Sequence, residues 1–214
     1  KSAKPNEPSW DSPWGLGRPG WHIECSVMSL ENLGKHFDIH GGGPDLLFPH
    51  HENEIAQSEC ASDHKFANYW IHSGLLKING EKMSKSLGNF AMLKDLFASY
   101  HPEVIRYYLI SSHYRSSLNF DNESLDQARS ALTRLYQAIS VAPSQESDLH
   151  DDSVKEFIQS MNDDLNTPEA LSTLFGLAKS INSSQDTQDQ SMYASTMREL
   201  GKVLGLLNDL SLIH

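Results

Sequence analysis

FDIHGGGPDLLFPHHENE, residues Phe37 to Glu54, decides how the rest of this 214-residue chain is read. Its opening alternates in a way that suits a short strand, and Gly41, Gly42 and Gly43 follow directly. Lacking a Cβ, these three let the chain turn sharply and let a ligand come against the main chain. The C-terminal end of a strand is where open α/β sheets usually bind ligands. The stretch then ends in His50, His51, Glu52 and Glu54. His50 and Glu54 are four apart, so on a helix starting near Pro49 they face one side and can share a metal ion. The same residues also fit a polar helix start with solvated histidines.

Composition sets the outer bounds. With 38% hydrophobic residues there is material for a core in one large or two small domains. There is no run of about 18 apolar residues and no basic-apolar leader, which predicts a soluble, cytoplasmic protein with no membrane partner. Cys25 and Cys60 are too few for a disulfide framework and stay free to bind metal or be buried. The net charge of −11 is uneven: residues 1–120 hold 11 Lys/Arg against 13 Asp/Glu, and residues 121–214 hold 6 against 15. The acidic second half is a poor candidate for a phosphate-binding surface.

Residues 1–20, with four prolines and Trp10 and Trp14 among them, read as an irregular, packed connection from something longer. Trp21 to Leu33 has helical spacing, with Gly34 as its C-terminal cap. Trp21 and Cys25 stand one turn apart and Met28 extends their stripe; alone, Cys25 reads as a small buried hydrophobe. A helix is expected over His50 to Ser62, with Cys60 off the His50/Glu54 face and structural. Tyr69 to Ile78 read as strands ending at an Asn79-Gly80 turn. The loop EKMSKSLGN, Glu81 to Asn89, is either a solvated turn or a mobile clamp in which Lys82 and Lys85 hold polyphosphate.

The second half is helical. Leu93, Leu96, Phe97 and Tyr100 form one face; Pro102 opens a helix with Val104, Ile105, Tyr108 and Leu109 inward. HYRSSLNF, His113 to Phe120, is a polar-aromatic connection, and Leu125, Ala128, Leu132, Leu135 and Ile139 follow at helical spacing. A capping box, Ser153 with Glu156, introduces Val154, Phe157, Ile158 and Met161. Thr167-Pro168 starts a helix with Leu171, Leu174, Phe175, Ala178 and Ile181. A Ser/Asn/Gln/Asp-rich linker leads to Thr196, Leu200, Val203, Leu204 and Leu207. Four amphipathic helices with short links predict an antiparallel bundle.

GWHIECS at Gly20 to Ser26, HGGGPDLLFPHHENEIAQS at His40 to Ser58 and KMSKS at Lys82 to Ser86 stand in one order. Together they closely resemble the cysteinyl-tRNA synthetases, class I aminoacyl-tRNA synthetases, and the HYRS and RLYQAI segments at His113 and Arg134 extend the likeness over the whole chain. The resemblance implies an α/β fold: the C-terminal part of a Rossmann-type catalytic domain, followed by the antiparallel helical bundle. It divides the chain into a connecting segment over 1–19, the second half of the nucleotide-binding domain with its KMSKS loop over 20–116, and the bundle over 117–214. It implies zinc on Cys25, His50 and Glu54, Trp21 as a wall of the amino-acid pocket, Gly43 and Asp45 against the nucleotide, and Lys82 and Lys85 on the leaving pyrophosphate.

The substrates so implied are L-cysteine, ATP with magnesium, and tRNA(Cys), joined through a cysteinyl-adenylate by a monomer. The pattern also departs from the family. No HIGH-type motif occurs and the family's second zinc cysteine has no match, so the chain is expected to be a fragment without the upstream half, or the anticodon-binding tail, and to be inactive or barely active alone. Two other readings compete: a cysteine ligase of mycothiol biosynthesis, with the same zinc and adenylate logic but no tRNA, and a non-catalytic zinc-binding module.

Overall fold

The computed structural model describes residues 1–78, 80–83, 92–143 and 148–208. It divides into a first unit, Lys1–Gly74, and a second, Leu75–His214. The first unit opens without a regular element: Trp10 and Gly17 exchange two backbone hydrogen bonds across a turn in which Gly15 has φ +101°. Trp10 and Trp14 are 59% and 93% exposed, so this connection is not the packed one expected. Helix α1 (Trp21–Leu33) ends where the sequence places its end, because Gly34 takes φ +89° and its N–H caps Leu30.

Strand β1 (Phe37–Gly42) pairs in parallel with β2 (Ala67–His72), crossing over through α2 (Glu52–Ser62). At Gly41 and Gly42 the close approach is made by the chain itself. A Cβ on Gly41 would stand 2.9 Å from the Ile71 carbonyl oxygen, and one on Gly42 2.8 Å from Leu46 and 3.1 Å from the His51 ring. Pro44–Leu46 then form a 3-10 turn and Leu47–His51 a wider one. Phe48 is extended, at φ −136° and ψ 133°, so α2 starts at Glu52 and not at His50 as expected. His51 keeps helical angles, which preserves the i,i+4 relation of His50 to Glu54. Asp63 in the left-handed region ends α2.

In the second unit β3 (Leu76–Ile78) lies between β4 (Glu81–Lys82), antiparallel through a turn with Gly80 at φ +83°, and β5 (Leu118–Phe120), parallel. A short α3 (Leu93–Leu96) precedes α4 (Pro102–Ile110), α5 (Asn122–Val141), α6 (Asp151–Asn162), α7 (Thr167–Ser183) and α8 (Thr187–Val203). Most helices are capped by a side chain at the position before them: Asp121, Asn166 and Asp186 accept from the following turn's N–H groups.

His150 takes that role for α6, so the helix starts at Asp151, two residues before the predicted capping box. Ser153 instead lies within the first turn, its Oγ 2.9 Å from His150 Nδ1. α8 likewise starts inside the polar stretch read as a linker.

The predicted stripes of α5 and α7 are buried almost throughout. Leu109, Ile158 and Val203, expected inward, are about half or more exposed. On α4 the buried stripe runs through Val104, Tyr107 and Tyr108, and Leu109 falls past its edge. No helix among the described residues is long and apolar enough to cross a membrane.

Two carboxylates pin this unit. Glu103 is buried on α4; one oxygen accepts from Tyr136 Oη at 2.7 Å and the other from the Leu207 backbone N–H, which fastens the chain after α8. Asp164 sits with Leu165 in a left-handed turn between α6 and α7, and accepts from the Arg115 guanidinium and from Tyr114 Oη at 2.7 Å. The HYRS connection is thereby tied to that turn. Hydrogen bonds from Arg115 and Tyr114 hold the Asp164 carboxyl down at about 2.

Glu103→Ala leaves a buried hydroxyl and N–H without an acceptor and is expected to lower stability by roughly 1–3 kcal/mol in denaturant titration. A carboxyl depressed from 3.8 to about 2 stabilises the fold above pH 4 and loses that contribution as the pH falls through 2. Melting of wild type against Asp164→Asn therefore shows a deficit above pH 4 that shrinks between pH 4 and 2.

Candidate metal centre

α1 presents Cys25 one turn after Trp21, the turn before α2 presents His50, and the first turn of α2 presents Glu54. One donor atom from each of Cys25, His50 and Glu54 lies within 4.8 Å of the others. His50 is 5% exposed and Glu54 is fully buried. The solvated-histidine reading is thus overturned, since His51 is buried as well.

The two oxygens of Glu54 have different surroundings. Oε2 accepts from His40 Nε2 at 3.0 Å. Oε1 is buried with no hydrogen-bond partner, 3.6 Å from His50 Nε2. A carboxylate oxygen left unpaired away from water is costly, and a cation beside it removes that cost. Burial first, and then the Glu54 charge, push the Cys25 thiol above its ordinary value of 9.0. A divalent cation reverses that shift by binding the thiolate. Thiolate, imidazole and carboxylate together are a donor set that suits zinc.

Around these donors stands a shell of imidazoles. His22 Nδ1 lies 2.9 Å from His50 Nδ1, and His51 Nδ1 lies 2.9 Å from His72 Nε2. Burial, and then the neighbouring His40, His72 and His50, lower His51 to about 4, so it is neutral at pH 7. His40, His51 and Glu54 form a second group of three within the same 4.8 Å limit. Sequence reasoning assigned no role to His22, His40, His51 or His72. The signal was there in part: β1 and β2 are parallel, with Gly42 opposite His72, so histidines near both strand ends meet.

Of the other expected residues, Trp21 lies with its ring 4.4 Å from that of His50 and is 58% exposed. Gly43 caps the 3-10 turn that holds Asp45 in its first position after Pro44. Lys82 ends β4, in register with Lys77, and Lys85 lies outside the described residues. Cys60 is exposed.

Residues 1–130 match the family described as the tRNA synthetases class I (C) catalytic domain, and residues 156–208 match the DALR domain. The cysteine–tRNA ligases of Azotobacter vinelandii and Legionella pneumophila are each 57% identical over 209 residues, 97% of this chain and 45% of theirs. The chain therefore spans less than half the length of these relatives. LeuRS of Agrobacterium radiobacter K84, solved in a ternary complex with tRNA and LeuAMS, has a TM-score of 0.69 at 14% identity, over 92% of this chain and 32% of that one. A putative arginyl-tRNA synthetase of Campylobacter jejuni has 0.55 at 16%, over 91% and 52%. At these identities the likeness shows the fold alone.

Zinc in large excess over its dissociation constant is expected to raise the melting midpoint of the chain, since ligand at a thousandfold excess stabilises by about 4 kcal/mol. Glu54→Gln should lose that rise, yet melt no lower than wild type in chelator, where the unpaired oxygen is only a burden.

Proposed function

The chain belongs to the family of class I (C) tRNA synthetase catalytic domains, and from that premise we propose that its parent protein joins L-cysteine to tRNA(Cys) at the expense of ATP. Relatives that bear the name cysteine–tRNA ligase support the choice of amino acid. The observation that carries it is the trio of half-buried Cys25 with buried His50 and Glu54, and the unpaired Glu54 oxygen. Held by Cys25 Sγ, His50 Nε2 and Glu54 Oε1, zinc would supply a Lewis-acidic position that takes a soft thiolate in preference to a hydroxyl. Cysteine is then told from serine by bond type and not by pocket volume.

The chain's own residues do the rest by position and charge. Trp21, one turn before Cys25, walls the amino-acid pocket. Gly43 lets the nucleotide approach and Asp45 holds its ribose hydroxyls. A carboxylate oxygen of cysteine attacks the α-phosphorus of ATP, and the bond to the pyrophosphate oxygen breaks. Lys82 and Lys85 take up the charge on the departing pyrophosphate, with magnesium accompanying the nucleotide. The terminal ribose hydroxyl of the tRNA then attacks the cysteinyl carbonyl, the bond from that carbon to the phosphate oxygen breaks, and AMP leaves with the hydroxyl proton. Little of this needs a protein acid or base; alignment of the reactants and charge stabilisation lower the barrier.

Isothermal titration of free cysteine and of serine into the chain, with its zinc quantified, tests this reading. Cysteine is expected to bind in proportion to zinc, serine to give no heat above dilution, and Cys25→Ala to lose both zinc and cysteine binding. Zinc retained without any response to cysteine would contradict the pocket and leave a closed structural site.

A further inference from the structure

Each of the two ligand side chains on α2 and the turn before it has two ends, and an imidazole occupies the end that faces away from the donor cluster. On Glu54 the occupied end is Oε2, bonded to His40 Nε2 at 3.0 Å, while Oε1 is left for the cluster. On His50 it is Nδ1, 2.9 Å from His22 Nδ1, while Nε2 stands 3.6 Å from Glu54 Oε1. We infer that His40 and His22 are positioning residues of the metal centre: they hold Glu54 and His50 in the one orientation and tautomer that offer Oε1 and Nε2 to the ion. This rests on the metal reading given above.

His40 is well suited to the task because its own direction is fixed. Its ring packs at 4.8 Å from Trp70, 5.5 Å from Phe66 and 5.8 Å from Phe37, and it sits on β1 opposite Trp70 of β2. The aromatic cage leaves Nε2–H aimed at Oε2. His22 acts through tautomer. For His50 Nε2 to carry a lone pair, Nδ1 must carry the proton, and His22 Nδ1 is the acceptor within reach.

A rival account puts a second cation among His40, His51 and Glu54. The geometry favours the hydrogen bond. Oε2 already has its partner at 3.0 Å, His51 Nε2 is 4.0 Å away from it, and the oxygen lacking a partner is Oε1.

Competition for zinc with a chromophoric chelator, on the whole chain, decides between them. Orienting partners of this kind are worth about 10–100-fold in metal affinity. His40→Phe, which keeps an aromatic ring but no donor, and His22→Phe are each expected to weaken zinc binding by about that factor. His40→Gln, whose amide nitrogen reaches the place of Nε2, and His22→Asn, whose amide reaches the place of Nδ1, should restore most of it. Melting midpoints in excess chelator check that the metal-free fold is intact. Should the Phe variant of His40 melt early, His40→Asn, too short to reach Oε2, replaces it with the same expected loss.

Wild-type affinity in the Phe variants would overturn the inference while leaving the metal centre standing. So would two zinc ions in wild type and one in His40→Phe, which would make His40 a ligand. A wild-type chain that takes up no zinc would overturn the metal reading itself, and this inference with it.

Discussion

The side chain of Glu54 is fully buried, yet only one of its carboxylate oxygens is hydrogen-bonded, and much of the first unit is arranged about that imbalance. β1 brings His40 to Oε2, the turn before α2 brings His50 alongside Oε1, and α1 lays Cys25 within reach of both. Gly42 is without a side chain because the His51 ring needs the space a Cβ would take. A glycine run that from sequence suggests room for a ligand thus also makes room for the chain's own imidazole. The apolar interior of this unit is correspondingly small: Phe66 and Ala67 are its buried hydrophobic residues among those described.

Glu103 in the second unit shows what a buried carboxylate looks like when its purpose is structural. Both of its oxygens accept, one from a tyrosine hydroxyl and one from a backbone N–H, and it ties three parts of the helical bundle together. Satisfied polar groups of this kind specify packing at little cost. Glu54 departs from that pattern at one oxygen only, and that oxygen lies 3.6 Å from the His50 imidazole, in a carboxylate grouped with the Cys25 thiol. The contrast within one chain is the physical argument for proposing that Cys25, His50 and Glu54 hold a cation.

Much of the helical part was legible because helical periodicity is a strong signal over long segments. α5 and α7 bury the residues their spacing predicts, and α1 ends at Gly34 because only a left-handed residue closes that helix so simply. The errors lie at boundaries and edges. His150 caps α6 in place of the expected Ser153, and Asp186 starts α8 inside a stretch whose composition reads as linker. Leu109, Ile158 and Val203 sit at stripe edges, where one residue's rotation about the helix decides between core and solvent.

At the centre, the i,i+4 pair of His50 and Glu54 could be read from spacing, and Cys25 came from resemblance to a family. The contacts of His22, His40, His51 and His72 could be read only in part, because each joins residues 14 to 28 apart that the folded strands and helices bring together.

X-ray absorption at the zinc edge of the metal-loaded chain, with and without cysteine, bears most directly on the account. It predicts one sulfur at about 2.3 Å among nitrogen and oxygen neighbours, and a second sulfur once cysteine is added. A first shell of oxygen and nitrogen alone, unchanged by cysteine, would contradict the claim that Cys25, His50 and Glu54 together hold an ion that reads a thiol.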